Sequence, residues 1–493
     1  MSEIAEAVLA DGSKLQYVVT SNPPRGGMKY TYFAPDKSYV VQFFNDPKMG
    51  QDAKMRDRIA AIIGKYNPTV SEENGGAMGN TEQLAEYFAD KYCWPTGIVV
   101  SPEFGIVSPA YPPKFFFDAN SSLVSGLDLR GRDKKSNWFT SRNRKYLDPR
   151  ELGNFMLMLK VCISLARSIR RMHAAGLAHS DLSNNNVLID PKTGSCVVID
   201  IDSLVVPELY PPEVAGTRGY IAPEVLATME YPYGDPRRSL PCIETDLHSL
   251  AVLIYEFLLT RHPLNGPKHF PGMSAEEEDQ RLMGSDAVFI EDPNDTSNRP
   301  DDLKVTIHDL GPYLEELFIR AFVDGLHSPK LRPTAMDWER GLLRTWDLLY
   351  PCDDPQCKAK MFVMYDADHP VCPFCGKKVS ASEIVKFRLK KELRGKRGQW
   401  MQYGELVVYN NMPLFPWHVY SNIFADEKAS REMQAYVVKQ NGRWLLINQR
   451  IKGLRSASGD LIPPGKALLL RNNESFLLSD MPNGNLVETV MIP

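Results

Sequence analysis

Short runs of Val, Tyr and Phe open the chain at residues 16–20, 30–34 and 39–44, separated by Pro, Gly and Asp. Their spacing predicts a small antiparallel sheet. Over residues 48–65 the period changes, with Met55, Ile59, Ile62 and Ile63 recurring as on one face of a helix. A polar stretch with a Gly-Gly pair, 71–80, leads to a second helix over 82–92, which Trp94-Pro95 ends. Strands at 97–100 and 105–107 then run into a Pro-rich joint at 109–114, which reads as a boundary between lobes. Beyond it helices dominate. Over 149–173, Leu152, Phe155, Leu159, Ile163, Ala166, Ile169 and His173 share a face, and Asp148-Pro149 suits the start. Residues 246–259 are apolar almost all round, the pattern of a helix buried at the centre of its lobe. Helices at 313–323 and 336–349 follow. The last hundred residues return to strand-like runs (435–438, 444–447, 467–470, 476–478) with turns at Asn441-Gly442, 463–465 and 482–484.

This organisation is α+β, in five parts: a sheet-rich lobe over 1–115, a helical lobe over 116–350, a cysteine module over 351–379, a basic connector over 380–398 and a β-sandwich over 399–493. Composition agrees. The chain has 493 residues, 43% hydrophobic and 24% charged, the balance of a soluble globular protein of several domains. A formal net charge of -4 provides no long-range attraction to nucleic acid or anionic lipid. The first residues lack a basic start followed by an apolar run, and no stretch reads as a membrane span, so the expectation is a cytoplasmic protein without a membrane partner.

Of eight cysteines, Cys93, Cys162, Cys196 and Cys242 have no spaced partner and read as small core hydrophobes. The other four form two close pairs, Cys352-x₄-Cys357 and Cys372-Pro373-Phe374-Cys375. Four thiolates so spaced can wrap one Zn²⁺ tetrahedrally in a closed, structural site. Disulfides are the alternative, disfavoured in a cytosolic protein, and His369 in place of one sulfur is a variant.

The chemistry centres on His179-Ser180-Asp181-Leu182-Ser183-Asn184-Asn185-Asn186, which precedes two apolar runs, 187–190 and 196–199, joined by a turn at 191–195. A hairpin centred on Thr193 sets Asn186 opposite Asp200. An amide and a carboxylate at one end of a hairpin suit Mg²⁺, which takes its remaining ligands from water and phosphates. Asp181, just before the same strand end, is placed to accept or orient a hydroxyl proton.

Asp181, Asn186 and Asp200 resemble the catalytic and magnesium loops of protein kinases. In the same order, residues 216–224 resemble the end of an activation segment, Asp246 opens the apolar central helix, and Arg332 resembles the arginine that pairs with the glutamate, here Glu224. The resemblance covers about 15–350 and implies a bilobal kinase fold using ATP and Mg²⁺. More narrowly, His-Ser-Asp-Leu-Ser-x-Asn-Asn, Asp200-Ile201-Asp202-Ser203 and the cysteine module resemble bacterial kinases of tellurite-resistance-associated stress operons. That implies Ser or Thr hydroxyls as acceptors, on a protein substrate such as the von Willebrand A-domain protein encoded with the kinase and a phosphatase. The β-rich tail is similar to a forkhead-associated domain, but no phosphothreonine-binding residue carries over, and docking or dimerisation is its expected use.

Departures are as informative. Ser180 replaces the loop arginine, Ser183 a common lysine and Asp202 the glycine of Asp-Phe-Gly, where it adds a possible second metal carboxylate. Gly26-Gly27 is all that stands for a Gly-rich phosphate loop, and Gln42 occupies the place of the strand lysine. Lys29 is the candidate replacement. A turn around Pro35-Asp36 sets it opposite Gln42 on one face, resembling the relocated lysine of the with-no-lysine kinases. Asp52 or Asp57 on the first helix is a candidate for the usual glutamate partner, with a solvated surface acid as the other reading of either. These departures leave a nucleotide-binding pseudokinase scaffold as one alternative. A nucleic-acid-binding protein is another, raised by the cysteine module and the seven cations between Lys386 and Arg397, which read instead as a solvated connector.

Overall fold

The structure, a computed structural model, describes residues 3–26, 28–118, 128–206 and 216–493. The chain divides into two compact units, Met1–Gly153 with Leu157–Asp302 and Leu317–Glu339, and Asn154–Met156 with Leu303–Glu316 and Arg340–Pro493.

The first unit begins with strands β1 (Ile4–Leu9), β2 (Lys14–Val18), β3 (Lys29–Phe33) and β4 (Tyr39–Phe44), helices α1 (Ala53–Ile63) and α2 (Glu82–Ala89), and strands β5 (Gly97–Ser101) and β6 (Gly105–Pro109). The six strands form one antiparallel sheet in the order β2-β1-β5-β6-β4-β3. β1 was not among the predicted strands, because its Ala- and Glu-containing sequence carries little β propensity; pairing with β2 and β5 holds it. One face of the sheet buries Tyr17, Val41, Phe43 and Val107, with Tyr30 and Tyr32 against them. The other packs Phe44 and Ile106 on Met55 and Ile59 of α1. Asp52 caps α1, its side chain accepting from Lys54 N at 2.8 Å.

The predicted long helix runs from Phe155 to Ala174. Its expected first turn is separate, a 3₁₀ turn over Pro149–Glu151, because Gly153 at φ +67° leaves helical space. Pro149–Ala174 is long and apolar enough to cross a membrane, yet 67% of its apolar 18-residue window is buried in the protein, which marks a core helix. Two short strands, β7 (Val187–Asp190) and β8 (Ser195–Val198), form a hairpin. The central helix, Ile243–Leu259, is buried at every position from Thr245 to Leu259. Arg332 donates to both oxygens of Glu224 (2.8 and 2.7 Å) and to the carbonyls of Glu244, Gly325 and Leu326.

The second unit holds a small pair, β9 (Leu349–Pro351) and β10 (Met361–Val363), and a long hairpin, β11 (Ile384–Leu393) and β12 (Lys396–Val408). Strands β13 (Met412–Leu414), β14 (Ala435–Gln440), β15 (Arg443–Asn448) and β16 (Ala467–Leu469) form one sheet in chain order. Strands β17 (Ser475–Leu477) and β18 (Leu486–Ile492) join the hairpin in a second, ordered β12-β11-β18-β17. The two sheets bury one core, including Phe387, Leu406, Val437, Leu446, Phe476 and Val487.

The basic connector expected over 380–398 is therefore corrected. Most of it lies in the β11–β12 hairpin, because its charge run hides a period of two. Val385, Phe387 and Leu389 enter the core, while Lys386 meets Glu405 (3.2 Å) and Lys390 meets Glu488 (2.5 Å) on the other face.

Candidate active site and metal centre

Residues 179–200 are held in place from below by the central helix. Asp246 accepts the backbone N–H groups of His179 (2.6 Å) and Ser180 (3.1 Å), with His173 Nε2 at 3.1 Å. His179, fully buried, donates from Nε2 to the carbonyl of Ile199 (2.9 Å) and ties the loop to the end of β8. Ser180 and Asp200 both adopt left-handed backbone, φ +67° and +64°. Each such residue costs about 1–2 kcal/mol relative to ordinary backbone, so contacts like those to Asp246 hold strain at this site.

The hairpin register differs by one residue from the expected one. Val187 pairs with Val198, and Ile199 N donates to Asn186 O (3.0 Å), so Asn186 lies opposite Ile199 and Asp200 one residue beyond. The turn is the cause: it holds four residues between Asp190 and Ser195, closing through Gly194 at φ +69°. Asn186 Nδ2 donates to the backbone oxygen (2.8 Å) and Oδ2 (2.9 Å) of Asp181. Asp181 Oδ1 accepts the hydroxyl of Thr217 at 2.7 Å. Thr217 has no predicted role; only its place in Gly216-Thr217-Arg218, within the activation-segment resemblance, pointed to it.

Lys29 enters from the sheet. Its strand is also offset from the expected register: Lys29 pairs with Phe44 and Thr31 with Gln42, because the β3–β4 turn spans 35–38 with Lys37 at φ +61°. Gln42 accordingly donates to Thr31 Oγ1 (3.3 Å). Lys29 is buried, with Nζ 5.9 Å from the centre of the Phe44 ring. It donates to Asp200 Oδ1 at 3.2 Å and, in a shorter contact, to Asp202 Oδ1. Burial alone would push the ammonium's pKa down, but Asp202 and Asp200 more than reverse this and hold it above the usual lysine range. For Asp200 burial pushes upward and the Lys29 ammonium outweighs it, holding the carboxylate below its usual range. Asp52 caps α1 and Asp57 is exposed, so the carboxylate partners of Lys29 are Asp200 and Asp202. Gly26 N donates to Lys29 O (2.8 Å), and a Cβ there would come no closer than 3.7 Å, as at an ordinary turn. Gly27 lies outside the described residues.

The donors fit a magnesium-bound nucleotide. A carboxylate and an amide supply oxygen ligands, and an ammonium stands beside them to meet phosphate oxygens.

In the second unit, Cys352, Cys357, Cys372 and Cys375 converge with all four sulfurs within 4.8 Å of one another. Cys352 follows β9, its N–H bonded to Lys360 O (2.8 Å). Cys372 and Cys375 lie on a knuckle in which Gly376, at φ +75°, donates to Cys372 O (2.8 Å). Sulfur separations of 3.5 Å (Cys352–Cys375) and 3.9 Å (Cys357–Cys372) bracket the ~3.8 Å edge of a tetrahedron with Zn–S of about 2.3 Å. They are far from a disulfide bond length of about 2.05 Å. The backbone N–H of Lys377 holds the Cys375 thiol below its usual range. His369 turns to Asp366 (3.2 Å) and is not part of the set. The donors fit Zn²⁺.

Residues 134–336 match the protein kinase domain family. A stretch of 139 residues, 27% of this chain, is 31% identical to 19% of the probable serine/threonine-protein kinase RTK1 of Saccharomyces cerevisiae. Another, 23% of this chain, is 33% identical to 23% of the anti-Muellerian hormone type-2 receptor of Homo sapiens. A third, 22% of this chain, is 28% identical to 12% of the serine/threonine-protein kinase PknD of Protochlamydia amoebophila. The chain thus spans under a quarter of the length of these curated relatives. It carries a domain of the protein-kinase-like superfamily, with the protein kinase fold.

Proposed function

We propose that this protein is an ATP- and magnesium-dependent kinase that phosphorylates Ser or Thr hydroxyls of a protein partner. The observation that carries the reading is the meeting of Lys29, from the sheet, with Asp200, beside the linked Asp181 and Asn186. Asp200 and Asn186 would hold the magnesium, which supplies charge neutralisation to the phosphates. Asp181, steadied by Asn186 and Thr217, orients the acceptor hydroxyl and takes its proton at a carboxylate oxygen. Lys29 offers the cation that Gln42 cannot, which argues against the pseudokinase scaffold.

The zinc module is read as structural and the two-sheet core as a docking sandwich. The kinase is of the tellurite-resistance-associated type, cytoplasmic, with an A-domain protein as substrate and a phosphatase from the same operon as counterpart. Lys386, Arg388 and Lys390 face Glu405 and Glu488, which supports a protein rather than a nucleic-acid partner. The test is incubation with magnesium and terminally labelled ATP, alone and with the A-domain protein. Label on protein Ser or Thr is expected; nucleotide binding with no transfer to protein would establish the scaffold instead.

A further inference from the structure

A lysine ammonium that has lost almost all contact with water needs an anionic partner that stays with it throughout the reaction. In protein kinases that partner is a glutamate of the first helix. Here α1 provides none: Asp52 caps the helix, Asp57 faces solvent, and Lys29 Nζ is paired instead with Asp200 and Asp202.

The two aspartates differ. The side chain of Asp200 is 47% exposed, whereas Asp202 and Lys29 are each 9% exposed and make the closer contact. Asp200 sits in left-handed backbone and Asp202 follows in the single 3₁₀ turn Ile201–Ser203, which brings two carboxylates, two residues apart, onto one ammonium. Asp200 is the residue a metal would engage. Asp202, the more buried, is the one able to keep Lys29 in place when that happens.

We infer that Asp202 is the positioning residue for Lys29, replacing the helix glutamate with a carboxylate on the magnesium loop itself. The cation and the metal-binding carboxylate then form one unit on adjoining backbone. The charge pair no longer depends on where α1 sits, and the acidic residue at the expected glycine position has a defined task. The inference rests on the reading of Lys29 as the phosphate-binding cation.

The experiment is a double-mutant cycle on affinity for a fluorescent ATP analogue, measured with magnesium and again in EDTA, using Lys29→Met, Asp202→Asn, the double variant and Asp57→Asn. Melting curves without nucleotide accompany each protein. Asp202→Asn is expected to weaken binding about tenfold or more in both conditions, as for loss of a charged hydrogen-bond partner. In the Lys29→Met background the same change should cost less than about twofold, because the group it positions is gone. Asp57→Asn should bind as wild type. An undiminished loss in the Lys29→Met background, seen only with magnesium, would make Asp202 a metal ligand and overturn the inference. So would wild-type affinity in Asp202→Asn beside a weakened Lys29→Met. Full affinity in Lys29→Met would instead sink the underlying reading of Lys29. If Asp202→Asn alone fails to fold, the comparison of the double variant, which buries no unpaired charge, with Lys29→Met still decides.

Discussion

Glu256 gives the fold a pH dependence with a definite sign. It lies on the central helix, buried, and accepts the hydroxyl of Tyr220 in a short contact. Tyr220 stands three residues after Thr217, whose hydroxyl steadies Asp181. Burial raises the Glu256 pKa from 4.5 to about 8, and the hydrogen bonds from Tyr220 and Thr140 only partly counter it. Between those values the folded protein keeps a proton that the unfolded chain has released, so the native state binds more protons. Stability therefore falls as pH rises from about 4.5 to about 8 and levels off above. A shift of that size corresponds to something on the order of 5 kcal/mol over the whole window. Glu256→Gln keeps an oxygen to accept from Tyr220 and cannot ionise, so it removes this slope. The assay is urea unfolding of both proteins at intervals from pH 5 to 8, read as the difference between them. The Gln variant should gain on wild type steadily as pH rises. Parallel curves, or a wild type that gains on the variant toward pH 8, would refute the assignment of a neutral buried carboxyl.

Three further outcomes are expected. Asp200→Ala should abolish magnesium-dependent ATP binding and transfer together, whereas Asp181→Ala should leave binding intact and slow transfer by roughly 10²–10⁴-fold; equal loss of binding in both would contradict the assigned roles. Metal analysis of protein purified without added zinc should return one zinc per chain, and Cys357→Ser or Cys372→Ser should lose it while still binding nucleotide. Arg332→Ala removes the guanidinium from Glu224 and three carbonyls, and should cost about 3–5 kcal/mol in denaturant unfolding, as when one partner of a buried pair is deleted.

Much of this site can be read from the chain because its signals are local. Asp181 and Asn186 lie five residues apart on one loop, Cys372 and Cys375 on one knuckle, and the all-round apolar run of the central helix can only be buried. What escaped depends on partners far along the chain. The cations of β11 look like a solvated run until Glu405 and Glu488 stand beside them, and those carboxylates come from β12 and β18. Lys29 finds Asp202 across 173 residues, and Thr217 finds Asp181 across 36. No periodicity reports such pairs.

The two misjudged hairpins show which part of a register argument survives error. In β3–β4 the turn is centred one residue later than expected, so every partner moves by two; Lys29 meets Phe44 instead of Gln42, yet both remain on one face because side chains alternate with a period of two. Any hairpin whose turn centre moves by a whole residue keeps its faces, and a lysine predicted to point inward still does. In β7–β8 the centre moves by half a residue, partners change by one, and alternation alone would turn a strand residue to the other face. Asp200 escapes that rule because it stands beyond the end of β8, where its left-handed backbone, not the pleat, aims the side chain at Lys29. The face of Lys29 thus follows from strand parity, whereas the aim of Asp200 depends on a left-handed turn that hydrophobic patterning does not encode.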